Sequence, residues 1–185
     1  IGCINVDAHF DIKQKNAISS GSPYYFALKE NPQFFQGNNL VELGMHDNFN
    51  SLQDYQYLLK KKAAVIPLAK IRQCGVDKVM TEAFKIAGNK TKTIHFSLDM
   101  DSVAEAYAPG VSAPGSDGFN PAEIIRIGYL AGANPKIKIF DLVEVSPKHD
   151  LQNRTSRLAA TIIVAFFTGY MQRKNRKFIR GKLLN

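Results

Sequence analysis

Short apolar runs alternate with longer stretches of helical period along this chain. Ile1–Val6, Leu40–Leu43, Ala63–Pro67, Thr93–Leu98 and Ile137–Val145 read as strands. Several are apolar at consecutive positions, the pattern of strands covered on both faces. Between them, Ser51–Lys62, Asp77–Ala87, Pro121–Ala133 and Asn153–Arg173 have helical spacing. The third is framed by Asn120 as N-cap, Pro121 at the first helical position and Gly132 near its end. Strand–helix alternation predicts a mostly parallel sheet with helices on both faces, a three-layer α/β/α domain. No repeat or linker divides the chain, and its 185 residues suit one domain or a large part of one. The Gly/Pro/Ser stretch Ala108–Gly118 follows a strand directly and reads as a loop at the ligand-binding edge of the sheet.

Composition narrows the class. Hydrophobic residues make up 45% and charged residues 22%, as in an ordinary folded domain. The longest apolar stretch, Leu158–Phe167, is too short for a membrane span and is expected to be a buried core helix. Cys3 and Cys74 stand alone, which fits inert thiols in a reducing compartment and an expected cytoplasmic location. The net charge is +8, and residues 171–185 hold six basic residues and no acid. That basic tail fits a solvated end or a homo-oligomer contact. No aromatic interleaving or motif points to nucleic acid, and no membrane partner is expected. The chain opens at Ile1, inside a strand-like run and without a leader, so it is expected to be part of a longer protein.

Chemistry collects at the strand ends. The first strand runs into Asp7-Ala8-His9-Phe10-Asp11, and the fourth into Asp99-Met100-Asp101. An extended backbone would point residues at i, i+2 and i+4 the same way. Taken singly, such acids also serve as helix caps or turn residues. Four carboxylates and an imidazole brought together would repel and desolvate one another unless cations joined them. Oxygen-rich ligation with one His suits Mn²⁺. Two such ions, roughly 3.5–4 Å apart, lower the pKa of a shared water. Glu144, after the fifth strand, is placed to hold a cationic amidinium or guanidinium, while Asp141 falls on the opposite side of that strand. Lys13, Ser20 and Ser22, just past the first motif, are candidates for contacting substrate carboxylates. His95 reads as a core histidine, His149 as solvent-facing, and His46 and Asp47 as pocket-rim residues.

Asp7-Ala8-His9-Phe10-Asp11, Ser97-Leu98-Asp99-Met100-Asp101 and Glu144-Val145-Ser146-Pro147 resemble the D-A-H-x-D, S-x-D-x-D and E-V-[NS]-P motifs of the ureohydrolases, the family of arginase, agmatinase and formimidoylglutamase. The resemblance runs the length of the chain and implies the arginase-like fold, with residues 1–185 as its C-terminal portion and its N-terminal strands and helices not in this chain. It implies a two-Mn²⁺ centre in which Asp7 and Asp99 bridge the ions, Asp11 completes one, and His9 with Asp101 completes the other. Glu144 would grip the planar C–N group and Asp101 would assist proton transfer. Ala108-Pro109-Gly110-Val111-Ser112-Ala113-Pro114 and the Ser19–Tyr24 segment resemble the formimidoylglutamase subgroup. That subgroup hydrolyses N-formimidoyl-L-glutamate to formamide and glutamate in histidine breakdown. Tyr24 aligns with a proton-shuttling His of arginase. A guanidine hydrolase and a non-catalytic subunit of the same family are the alternatives. Two departures stand out: Ala104-Glu105 replaces the usual D-P, and the upstream G-G-x-H segment with the first metal-binding His is not in this chain. Weak metal binding and low activity are therefore expected of the chain alone.

Overall fold

The structure is a computed structural model that describes residues 1–13, 17–46 and 48–175. The rim position expected for Asp47 and all but the first residues of the basic tail lie outside the described residues. Five strands form one wholly parallel sheet: β1 (Gly2–Val6), β2 (Leu40–Leu43), β3 (Ala64–Ile66), β4 (Ile94–Asp99) and β5 (Ile137–Val143). Their order is β3-β2-β1-β4-β5. Each expected strand is present, and only the ends differ; β5 stops at Val143, two residues short of the expected Val145.

Among the described residues, six α-helices surround the sheet: α1 (Pro23–Glu30), α2 (Leu52–Lys60), α3 (Leu68–Cys74), α4 (Val76–Ala87), α5 (Pro121–Ala133) and α6 (Arg154–Asn175). Alternate residues of the strands face two separate cores. Ile4, Val6, Val41, Leu43, Phe96 and Leu98 pack beneath α3 to α6. Cys3 and Leu40 face the other way, against Tyr24 and Leu28 of α1 and Leu58 of α2. The three-layer arrangement expected from the alternation is therefore the one observed. Asn120 caps α5 by accepting from Glu123 N, and Glu123 returns a bond to the Asn120 backbone, a complete capping box. Helices α1 and α3 were not anticipated. They span only eight and seven residues, too short for a 3.6-residue period to emerge.

Helix α6 corrects one expectation. Its apolar stretch buries Ala159, Ile162 and Phe166 but leaves Val164 64% and Phe167 58% exposed, so it covers the core with one face only. None of the described helices is long and apolar enough to cross a membrane. Its inner face meets α5 at glycines. A Cβ on Gly132 would lie 1.9 Å from the Phe166 carbonyl oxygen, and one on Gly169 would lie 2.1 Å from that of Tyr129. Backbone cannot yield as a side-chain tip can. Gly132→Val is therefore expected to destabilise the fold by about 3 kcal/mol, the upper end of overpacking costs. Thermal unfolding checks this, and a Tm within a degree of the parent would mean that the helices separate freely.

Candidate metal centre

The strand order reverses direction at β1, which pairs with β2 on one side and β4 on the other. Ligands of open parallel sheets bind at such a switch, beyond the carboxyl ends of the strands. Asp7 follows β1 directly, and Asp99 is the last residue of β4. The two carboxylates thus leave neighbouring strands at the same level, since Val6 pairs with Leu98.

The remaining ligand-type residues arrive by turns and not by strand alternation. Strand β1 stops at Val6, and Asp11 sits at φ +50°, a left-handed backbone that few non-glycine residues adopt. Asp101 lies in a 3-10 turn, Met100–Ser102, in which the Asp99 carboxylate accepts the Asp101 N–H at 2.8 Å. The extended i, i+2, i+4 geometry expected for the first motif is therefore not what unites these groups. The Asp7 carboxylate accepts the His9 N–H at 2.6 Å and thereby folds the chain back on itself.

Asp7, His9 and Asp101 each offer a ligand atom within 4.8 Å of the others. His9 Nδ1 lies 2.9 Å from Asp101 Oδ2 and 3.5 Å from Asp7 Oδ1, and its ring stacks on Phe49 at 5.3 Å. Asp11, Asp99 and Asp101 line the same cavity of about 220 Å³ as His9, and Glu144 stands in its wall. Burial, with the neighbouring carboxylates behind it, raises Asp7 to about 6, Asp11 to about 7 and Asp99 to about 10. Hydrogen bonds to Asp101 and then Asp7 raise His9 to about 10. Each shift marks negative charge crowded beyond what the protein compensates. Carboxylate oxygens with a single imidazole nitrogen are a donor set that suits two hard or borderline dications. The residues present therefore fit the expected centre.

Glu144 follows β5 at φ +65° and accepts the Ser112 hydroxyl. Ser112 belongs to the Ala108–Gly118 loop, which is tied down on both sides. Arg72 grips Asp117 with two bonds of 2.8 and 2.6 Å. Gly110 accepts Ser146 N and donates to Thr155 Oγ1. Lys13, Ser19 and Ser20 also line the cavity. Ser22 does not join them. It is fully buried, and its hydroxyl is engaged with Ser19. Asp141 is turned away from the cavity and pairs with His95 and Ser97, so His95 is the satisfied histidine expected. His149 is exposed, while His46 is buried against Phe49 rather than at the rim.

Behind the cavity lies a network that the sequence reading missed. Glu42 in β2 is 0% exposed, and burial holds its carboxyl well above the usual range. It accepts from Asn5 Nδ2, while Tyr24, buried and not itself part of the cavity lining, donates its hydroxyl to Asn5 Oδ1. The available signal was a lone acid inside an otherwise apolar strand.

The family profile described as Arginase family matches residues 1–168. Over 168 residues the chain is 28% identical to the formimidoylglutamase of Bacillus subtilis (strain 168), which covers 90% of this chain and 52% of that protein. The formimidoylglutamase of Streptococcus gordonii is 32% identical over 166 residues, 88% of this chain and 50% of the relative. The chain therefore spans about half the length of the curated relatives it matches. Among solved structures, Trypanosoma cruzi formiminoglutamase with Mn2+2 superposes with a TM-score of 0.87 at 28% identity, covering 94% of this chain and 57% of that one. The arginase of Bacillus caldovelox shares the fold at a TM-score of 0.77 and 22% identity, over 90% of this chain and 60% of that one. With three acidic motifs converging at the switch point of a parallel sheet and a family profile spanning 168 residues, this chain belongs to the arginase family.

Proposed function

We propose that this chain carries the dinuclear manganese centre of a hydrolase that cleaves a C–N bond of a linear amidine, with N-formimidoyl-L-glutamate as substrate. The observation that carries this reading is one cavity lined together by His9, Asp11, Asp99, Asp101, Glu144, Lys13, Ser19 and Ser20. The similarity to formimidoylglutamases favours the formimidoyl substrate.

Asp7 and Asp99 would bridge two ions, Asp11 would complete one, and His9 with Asp101 the other. When bound, such ions supply Lewis acidity and a water of near-neutral pKa. The chain does the rest. Glu144 accepts two N–H bonds from the planar amidinium, a charge-assisted pairing, and Ser112 fixes the orientation of its carboxylate. Lys13 and Ser20 receive the carboxylates of the glutamyl part. Asp101 holds and returns the proton needed as the amine departs. A cytoplasmic location is proposed on the two free cysteines.

The test is a substrate panel with the Mn²⁺-saturated protein, following formamide, ammonia and urea. Formamide release from N-formimidoyl-L-glutamate, faster than turnover of agmatine, arginine or guanidinobutyrate, is the expected result. Preference for a guanidine would move the assignment to that branch. Metal binding without turnover of any compound would make the chain a non-catalytic subunit.

A further inference from the structure

We infer that Asn5 is a positioning residue for Asp7, locked in one orientation by Tyr24 and Glu42; this rests on the reading of Asp7 as a metal ligand. Asn5 lies in β1 with its side chain 2% exposed, level with Glu42 of β2 and Ser97 of β4. Its carboxamide has three partners. Oδ1 accepts the Tyr24 hydroxyl at 3.1 Å, while Nδ2 donates to Glu42 Oε2 at 2.9 Å and to Asp7 Oδ2 at 3.3 Å.

A carboxamide is acceptor at one end and donor at the other. Reversing Asn5 would aim its oxygen at two carboxyl groups and its NH₂ at the Tyr24 hydroxyl. The Glu42 and Asp7 oxygens that accept from the NH₂ end therefore select the observed orientation, and the Tyr24 hydroxyl, which could donate or accept, holds it by donating to Oδ1. The consequence reaches Asp7, whose Oδ1 accepts the His9 N–H and whose Oδ2 accepts Asn5. With one protein donor on each oxygen, the carboxylate plane cannot rotate, and each oxygen keeps a lone-pair direction for an ion.

Glu42 is costly for a strand residue. It is fully buried, and its Oε1 has no partner among the described residues. An apolar side chain of the same size would fill that space without desolvating a carboxyl. What Glu42 adds is an acceptor that orients Asn5.

The test separates positioning from packing. The triple variant Asn5→Leu, Glu42→Leu, Tyr24→Phe replaces the whole network with apolar groups of similar shape, a change that is nearly neutral or stabilising for a fold. Mn²⁺ affinity is measured by calorimetry and the Mn²⁺ signal by electron paramagnetic resonance, alongside Tm of the metal-free chain. The expected result is a retained Tm with affinity lowered about 10–100-fold, the usual cost of losing an outer partner of a ligand. Tyr24→Phe, which removes a single oxygen, is expected to fold in any case and to weaken binding in the same direction. Affinity within about twofold of the parent in both variants overturns the inference. A parent chain that binds no Mn²⁺ overturns instead the metal reading on which it rests.

Discussion

Asp99→Ala is expected to lose Mn²⁺ binding and, with it, hydrolysis, while making the metal-free chain more stable at pH 8. The two effects have opposite signs because Asp99 is a liability until ions arrive. It is 5% exposed, and burial together with Asp7 and Asp101 raises its carboxyl to about 10. Removing it spares the metal-free fold from having to protonate a buried carboxyl at pH 8, yet deletes an oxygen donor beside Asp7. Outer partners of metal ligands typically cost about 10–100-fold in affinity, so loss of Asp99, proposed above as a direct ligand, should exceed about 100-fold. Calorimetric titration and thermal unfolding in chelator give both signs. Unchanged affinity would remove Asp99 from the centre, and a lowered chelator Tm would mean that its role is structural.

The second large effect is on pH. In the metal-free chain, Tm is expected to fall by about 10 °C between pH 5 and pH 9, and saturating Mn²⁺ should flatten the curve. Asp7, Asp11 and Asp99 have folded values of about 6, 7 and 10, each above the ordinary 3.8. His9 has about 10 against 6.5. A raised folded pKa means that the folded state holds the proton more tightly, so stability is full below the unfolded value. It is then lost as pH climbs through the folded value. For the carboxylates the loss begins near pH 4; for His9 it runs from 6.5 to about 10. All four groups push the same way. One pKa unit is about 1.4 kcal/mol. A net loss on the order of 3 kcal/mol for these sharing charges corresponds to about 10 °C in a chain of this length. Ions that displace the protons remove the dependence, and buffers of different ionisation enthalpy should detect proton release on binding. A Tm that rises with pH in chelator would refute this account of the cluster.

Much of this architecture was readable from residue order. Strands such as Leu40–Leu43 and Ile94–Asp99 announce themselves because both faces are largely covered, leaving short runs that are apolar apart from Glu42 in the first and His95, Ser97 and the terminal Asp99 in the second. Helix α5 was legible from its start, since Asn120 accepts an otherwise unpaired backbone N–H and Pro121 has no N–H to leave unpaired at the first position. What was not legible depends on contacts distant in sequence. Asp11 reaches the cavity through a left-handed residue, a conformation that its identity does not announce. Ser22 looked like a binding residue because it lies just past the first motif, but the turn consumes its hydroxyl internally. Ser112 lay in a loop already suspected of facing a ligand, yet only the fold shows that its hydroxyl meets Glu144, 32 positions away. Asn5 and Tyr24 meet across 19 residues, and Asn5 and Glu42 across 37, with no spacing rule to connect them.

The loop carrying Ser112 has its own consequence for recognition. Arg72 holds it through Asp117 on the α3 side, and Ser146 and Thr155 hold Gly110 on the β5 and α6 side. A segment braced from two layers of the domain is a fixed wall of the cleft and not a lid. On the function proposed above, the carboxylate of Glu144 would therefore be aimed before substrate enters, with little of the binding energy spent on ordering that surface.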